Sequence, residues 1–473
     1  MPNPMSSEPS RIDVANPRTG EVDYRFTPAE VAPVVAELRA AQPEWRRRGM
    51  EARAEALLRL ADAVQAHRRS VIDALATDTG RTRIAAREVD GAVGTMRGWA
   101  AQAPHLLPPS AWTQGRAKPG MKHRVTMEPY GVVGVISPWN FPVTLSLIDT
   151  VPALLAGCTV AVKPSEITPR FVEPLRAAIG EAGLSDVLAF LPGDGRTGAE
   201  LVAEADCICF TGSVDTGRRV ALAAASHLVP INLELGGKDP LIVLPGTDVR
   251  LAARVALRAS VLATGQACQS IERVYVPRDM HDAFLRELVK QAEAVPLALD
   301  GDAPGALGPF IDGRQAGKVA AQIADAVARG ARVEAGGEVE THGGRWLRPT
   351  VLSGVTHGME IMREETFGPV IPVMAYGTVD EAVALANDTE FGLSAAVFGP
   401  DLETCERVGE RLEAGAVSLM DAALTNQYFE APKQSFKNSG LGGSRMGPDG
   451  FARFFRKRAL IANTVEPLPL ESF

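Results

Sequence analysis

The sequence predicts an α/β fold built on a doubly wound, Rossmann-like parallel sheet with a second α/β domain beside it. Three observations carry this. Between residues 130 and 235, five short apolar, β-branched runs alternate with helical runs. A second series of strand and helix signals continues from 240 to about 420. And 473 residues are too many for a single hydrophobic core.

Residues 27–104 have the spacing of helices. Apolar residues recur every three or four positions across 43–80, and the pattern stops at Thr79-Gly80. Residues 105–129 are rich in Pro and Gly and alternate toward their end, as a connector with edge strands would. The five strands follow: VVGVIS (132–137), TVAVKP (159–164), VLAFLP (187–192), CICFTG (207–212) and PINLEL (230–235). Helices are predicted at 143–158, 170–183, 197–205 and 214–227. In such a sheet the ligand sits outside the carboxyl ends of the strands. The second region opens with PLIVLP (240–245), a helix over 249–263, a turn around Cys268, IERVYV (271–276) and a helix over 281–294. A last strand is predicted within 450–470, with no partner near it in sequence.

The formal net charge is −8, which disfavours nucleic acid or an anionic membrane as partner. No apolar run is long enough to span a bilayer, and the first residues show no secretory core. Five cysteines in this length make no disulfide framework, and a reducing cytoplasm fits. Cys207 and Cys209 share one face of a strand and read as core, so no metal site is expected.

Several short motifs invite chemistry. GDGRTG (193–198) matches a dinucleotide fingerprint between strand and helix, although the acidic residue at the expected distance, Asp215, is not at a strand end. In FTGSVDTG (210–217), Gly212 opens a turn and Ser213 precedes a helix whose free N–H groups suit a phosphate. Lys163 and Glu166 in KPSE end a strand where a ribose could be bound. PWNFP (138–142) holds Asn140 between two prolines, as a preorganised oxyanion donor requires. Glu234 in ELGGK (234–238) ends a strand and suits a general base. Cys268 in GQAC is either an inert buried thiol or a nucleophile. Each of these has an ordinary structural reading when taken alone.

Taken together and in order, with EETFGPV (364–370) and NDTEFGLSAAVF (387–398), they resemble the aldehyde dehydrogenase superfamily over nearly the whole chain. The resemblance implies Cys268 as the catalytic thiol, Asn140 as the oxyanion amide with the Cys268 N–H, and Glu234 as the base that activates water. It implies NAD contacts by Trp139, Lys163, Glu166, Gly212, Ser213, Glu365 and Phe367, and reduces Gly193 to a turn beside the adenine. Phe141, Leu145 and Ile148 should face the substrate. NAD is expected over NADP because Glu166 would repel a 2′-phosphate. The implied domains are 1–104 with 129–236 for NAD, 237–435 for catalysis, and 105–128 with 436–473 as the arm and C-terminal strand of a homodimer or homotetramer. A CoA-acylating relative would generally lack Glu234; a cysteine hydrolase would want a histidine, which none of the motifs holds; and a non-catalytic relative would not need the intact Cys268, Glu234 and Asn140. One stretch departs from the family. Where relatives commonly have P-F-G-G-x-K-x-S-G, this chain has PKQSFKNSG (432–440), so Lys433, Gln434 and Ser435 replace an aromatic and two glycines. Lys433 is expected to meet the substrate, either reading a polar or anionic far end or pointing to solvent.

Overall fold

A computed structural model describes residues 11–107, 110–301, 303–467 and 469–470. Its first sheet has six strands in the order Gly440–Leu441, Ile231–Glu234, Cys207–Thr211, Val132–Ile136, Thr159–Lys163, Leu188–Phe190. The last five are the predicted strands, and they are parallel. The Val132–Ile136, Thr159–Lys163 and Cys207–Thr211 strands are buried at every position, which explains their continuous apolar runs. The chain starts mid-sheet at Val132, winds outward through Thr159 and Leu188, then returns to Cys207 and winds the other way. The order therefore reverses between Val132–Ile136 and Cys207–Thr211, and the PWNFP and Gly212-Ser213 turns leave the sheet at that point.

The intervening helices run Pro142–Ala156, Val172–Glu181, Gly195–Glu204 and Val214–Ser226, within three residues of the predicted bounds. Pro142 opens the first, where its missing N–H costs nothing, and Gly157 closes it at φ +102°. Of the four helices from Val31 to Gln102, the last three cover one face through Leu57, Leu60, Leu75 and Val89, joined there by Trp45, while Val31, Val35 and Leu38 of the first pack in the core of the other face. A hairpin of Ile12–Ala15 and Val22–Phe26 precedes them; the sequence reading has no counterpart for it.

The second sheet has seven strands, in the order Arg332–Ala335, Thr350–Ser353, Val370–Tyr376, Ile271–Pro277, Asp239–Val243, Ser394–Phe398, Ala416–Leu419. It is parallel apart from Arg332–Ala335. The terminal strand finds its partner far away in sequence: Phe455–Asn463 pairs antiparallel with Met121–Pro129 along its whole length, and Thr113–Gln114 adds a third strand. Residues 436–441 lie away from this arm. Phe436–Lys437 pairs with Phe391–Gly392, and Gly440–Leu441 joins the first sheet beside Glu234. Among the described residues, no helix is long and apolar enough to cross a membrane.

A buried charge cluster locks the C-terminal segment to the first sheet. Asp149 accepts from Arg445 at 2.6 Å and from Arg453, and Arg445 also donates to Thr211 Oγ1 at 2.8 Å. Burial raises the Asp149 carboxyl, but the two guanidiniums outweigh it and hold it below the ordinary value. Because the folded-state pKa is depressed, this stabilisation is present at neutral pH and is lost only as acid carries the pH down through that lowered pKa. Asp149→Ala leaves two buried cations uncompensated. The expected cost is about 3–5 kcal/mol, measured as a fall in the urea unfolding midpoint at neutral pH.

Candidate active site

Cys268 follows a backbone held in an unusual shape. Helix Val249–Val261 gives way to Ala263, Thr264 and Gly265, all left-handed at φ +55°, +61° and +67°. For the two non-glycine residues this costs about 1–2 kcal/mol each, so the surroundings must impose it. Gly265 lies so close to the Gly368 carbonyl that a Cβ could not fit. Thr264 Oγ1 donates to Gly308 O at 3.1 Å. Gln266, fully buried, donates to Pro309 O at 3.2 Å and accepts from Ile311 N at 2.9 Å. The sequence reading gives Gln266 no role; the structure makes it the clamp that presents Cys268.

Asn140 is joined to the same loop. Its Nδ2 donates to Gln266 O at 3.1 Å, which aims the amide across the Cys268 loop and leaves its second N–H for another acceptor. Arg81, also buried, donates to Asn140 O and, at 3.1 Å, to Ala263 O. Its guanidinium lies 5.4 Å from the Phe141 ring. Arg81 therefore stitches the oxyanion loop to the cysteine loop. Nothing local in sequence announces it, since both bonds go to backbone atoms of distant segments.

The ELGGK turn explains its own glycines. A Cβ on Gly236 would lie 2.6 Å from Glu365 Oε1, and one on Gly237 would lie 2.9 Å from Cys268 O. Gly237 N donates to Glu365 Oε1 at 3.2 Å. Burial, followed by the neighbouring Glu272, pushes the Glu365 carboxyl up to about 7. Lys238, fully buried, bonds Glu272 at 2.8 Å and Thr366 Oγ1 at 2.8 Å. Glu272 in turn accepts from Thr366 N and Phe367 N, both at 2.8 Å, which holds Phe367 at φ +55°. The Phe367 ring then meets Trp139 edge-on at 5.4 Å. Glu234, at the strand end, accepts from Ser435 Oγ at 3.4 Å.

The polar residues predicted to bind a cofactor lie at the carboxyl ends of the first sheet's strands. Lys163 Nζ bonds Glu166 Oε2 at 2.9 Å, with the lysine buried and the carboxylate partly exposed, so an acid stands open at a strand end. Ser213 caps helix Val214–Ser226 with a neutral hydroxyl. The GDGRTG helix differs: Asp194 takes the N–H groups of Arg196 and Thr197 at 2.9 and 3.4 Å. A carboxylate already fills that helix end, and Gly193 packs against Thr197. A pyrophosphate is better received at Ser213.

Helix Pro142–Ala156 is buried almost throughout, yet Thr144, Leu145 and Ile148, with Phe141 just before, are half-buried. Their spacing places them on one face, in keeping with an accessible channel; Thr144 is the member the sequence reading omits. Cys268 is half-buried too, while the four other thiols are buried. Burial pushes its thiol up to about 12; the Lys433 ammonium pulls it down, and Asp239, Glu365 and Glu234 push it up. Lys433, half-buried, has its N–H fixed by Ser444 Oγ at 2.9 Å.

The fold and site define an α/β enzyme with a dinucleotide crevice and a thiol at the junction of its two sheets. The aldehyde dehydrogenase family profile matches residues 5–460, and the chain belongs to that family. It is 39% identical over 444 residues to "Putative succinate-semialdehyde dehydrogenase (NADP+)" of Mycolicibacterium smegmatis, covering 93% of this chain and 86% of that one. It is 34% identical to 3,6-anhydro-alpha-L-galactose dehydrogenase of Streptomyces coelicolor, covering 96% and 94%. Among solved structures, "Putative Aldehyde Dehydrogenase PutA" of Anabaena variabilis matches at a TM-score of 0.94 and 46% identity, covering 98% and 99%. Lactaldehyde dehydrogenase of Escherichia coli matches at 0.90 and 30%, covering 96% of each.

A thiol raised this far is alkylated through a small thiolate fraction that grows with pH. Iodoacetamide labelling of Cys268 should keep accelerating across the alkaline range without levelling off. Lys433→Met removes the one cation among the leading influences on the thiol, so labelling should slow at every pH; peptide mass spectrometry reads both rates.

Proposed function

We propose that this enzyme oxidises an aldehyde to a carboxylic acid with NAD as the acceptor, through a thioester on Cys268 that water activated by Glu234 hydrolyses. The observation that supports it best is the meeting of Asn140, Cys268 and the ELGGK turn, with Glu365 and Phe367 held beside them.

The steps follow from these groups. Cys268 gives its proton to solvent water, and its sulfur bonds to the aldehyde carbon as the C=O π pair moves onto oxygen. Asn140 Nδ2 and the Cys268 N–H stabilise that oxyanion. Trp139, Lys163, Glu166, Gly212, Ser213, Glu365 and Phe367 would hold NAD, and Gly193 lies beyond them. When bound, NAD would supply the acceptor for the hydride whose loss from the adduct's carbon, with C=O re-formed, leaves the thioester on Cys268. Glu234 takes a proton from water as the water oxygen bonds to the thioester carbon. The C–S bond then breaks, the acid leaves, and the thiolate is restored. Splitting the oxidation in two lowers each barrier.

Cys268→Ala should abolish aldehyde-dependent NADH formation. Glu234→Gln should form the thioester and stall: a burst of NADH, then turnover slower by about 10²–10⁴-fold. Normal steady-state turnover in Glu234→Gln would overturn the assignment of the base.

Glu166 supports NAD over NADP, since its carboxylate stands where a 2′-phosphate would approach a ribose. The NADP-dependent names of several relatives point the other way, so kcat/KM with each cofactor is the decisive measurement. We expect the larger value with NAD, and Glu166→Ser should narrow the gap.

The apolar face of Phe141, Leu145 and Ile148 admits an aldehyde chain, and Lys433 beside the thiol favours one with an anionic far end, in keeping with the semialdehyde names of relatives. A partly desolvated bond to such an anion is worth about 1.5–3 kcal/mol, or about one to two decades in kcat/KM. Lys433→Met should lower the preference for succinic semialdehyde over a neutral aldehyde of equal length by that factor; an unchanged ratio would remove Lys433 from substrate recognition. The Met121–Pro129 and Phe455–Asn463 arm, with Val125 and Ile461 exposed, would carry the homodimer or homotetramer contact.

A further inference from the structure

We propose that Ser435 is a positioning residue for Glu234, holding one carboxylate oxygen so that the other faces the hydrolytic water. The inference rests on the reading of Glu234 as the base, and it concerns a hydroxyl that stands where the family pattern has glycine.

Ser435 Oγ donates to Glu234 Oε2 at 3.4 Å, with both residues half-buried. The contact is long, and it ties one carboxylate oxygen to the loop. The segment carrying Ser435 also fixes the Glu234 backbone. Gly440 pairs with Glu234, and Leu235 N donates to Ser439 O at 2.9 Å. A Cβ on Gly440 would lie 2.6 Å from Leu233 O and 2.8 Å from Ser435 Cβ, so glycine there lets Ser435 press against the strand that bears the base.

The rest of the loop leaves Ser435 little room to move away. Gln434 Nε2 donates to Gly442 O at 3.1 Å, and Lys433 N to Ser444 Oγ at 2.9 Å. The Gln434 carbonyl abuts Gly415 where a Cβ would go, and Gly392 N donates to Ser439 Oγ at 2.9 Å. Ser435 is thus held from both sides, while Glu234 turns about its own side-chain bonds unless something stops it. With Oε2 tied to Ser435, Oε1 is the less encumbered acceptor for the proton of water. The hydroxyl should matter to hydrolysis of the thioester and not to its formation.

The experiment separates those two stages in the full-length enzyme. Stopped-flow NADH formation gives the acylation rate. Rapid quench with intact-protein mass gives the lifetime of the acyl group on Cys268. In Ser435→Ala and Ser435→Gly the acylation rate should stay at the wild-type value, and the acyl lifetime should lengthen about 2- to 10-fold, as expected for one restraining hydrogen bond. Ser435→Thr, which keeps the hydroxyl, should restore a lifetime near wild type. Because glycine is the family residue, Ser435→Gly guards against a variant that fails to fold. A wild-type acyl lifetime in both hydroxyl-free variants overturns the proposal, as does an equal loss in both stages, which would mark a merely structural residue. Glu234→Gln serves as the reference. If it accumulates acyl-enzyme while Ser435→Ala does not slow hydrolysis, the Ser435 inference alone fails. If it accumulates none, the reading of the base fails and this inference fails with it.

Discussion

The Lys238–Glu272 ion pair is the constraint on which the rest of the site depends. Lys238 follows Glu234 by four residues and Glu272 follows Cys268 by four, so one buried bond of 2.8 Å ties the strand leaving the base to the strand leaving the thiol. Two charges taken out of water this completely need further bonds to compensate them. Glu272 finds these in the N–H groups of Thr366 and Phe367, and Lys238 in Thr366 Oγ1. The compensation is itself functional. It fixes the backbone that carries Glu365 and Phe367, including a left-handed phenylalanine that would otherwise relax.

Charge around the thiol is moderated by the same burial. Burial raises Asp239 to about 8, against the bonds it receives from Ser394, and raises Glu365 to about 7. At neutral pH Asp239 is mostly uncharged and Glu365 is partly so, and the Cys268 thiolate meets less repulsion than the count of nearby acids suggests. As pH rises both carboxyls ionise and oppose the thiolate, just where solution chemistry would favour forming it. Lys433 is the counterweight, a cation in a position that the family pattern gives to an aromatic.

The architecture of the first sheet was legible because its three central strands are buried on both faces and most of its helices on one, so period and composition agree at those elements. The candidate site residues stood out in the sequence only through their motifs. PWNFP and ELGGK state what they need locally: prolines that stiffen a turn, and glycines that admit Glu365 and the Cys268 carbonyl. Arg81, Gln266 and Glu272 left no such mark. They act on backbone atoms reached through the fold, and an arginine after a helix or a glutamate in a buried strand has no local pattern to distinguish it. The hairpin of Ile12–Ala15 and Val22–Phe26 was missed for another reason, since its strands are short and largely exposed and give no apolar run.

The 433–441 segment shows how a local departure can act across the molecule. It touches both sheets: Phe436–Lys437 pairs with a strand next to the catalytic sheet, and Gly440–Leu441 becomes the outermost strand of the cofactor sheet. Four residues before that outer strand sits Phe436, and just before it Ser435 reaches Glu234. A substitution in this loop therefore bears on Glu234 and on the surroundings of Cys268 together. Lys433 and Ser435 are two residues apart, one bearing on the thiol and the other on the base. Replacing glycines with side chains here costs the loop some conformational freedom. The bonds of Lys433 N, Gln434 Nε2 and Ser439 Oγ hold it in the one shape that this composition needs. Under the proposed reading, freedom lost by the loop would be orientation gained by the Glu234 carboxylate, and that exchange would favour a base that must wait for water in one place.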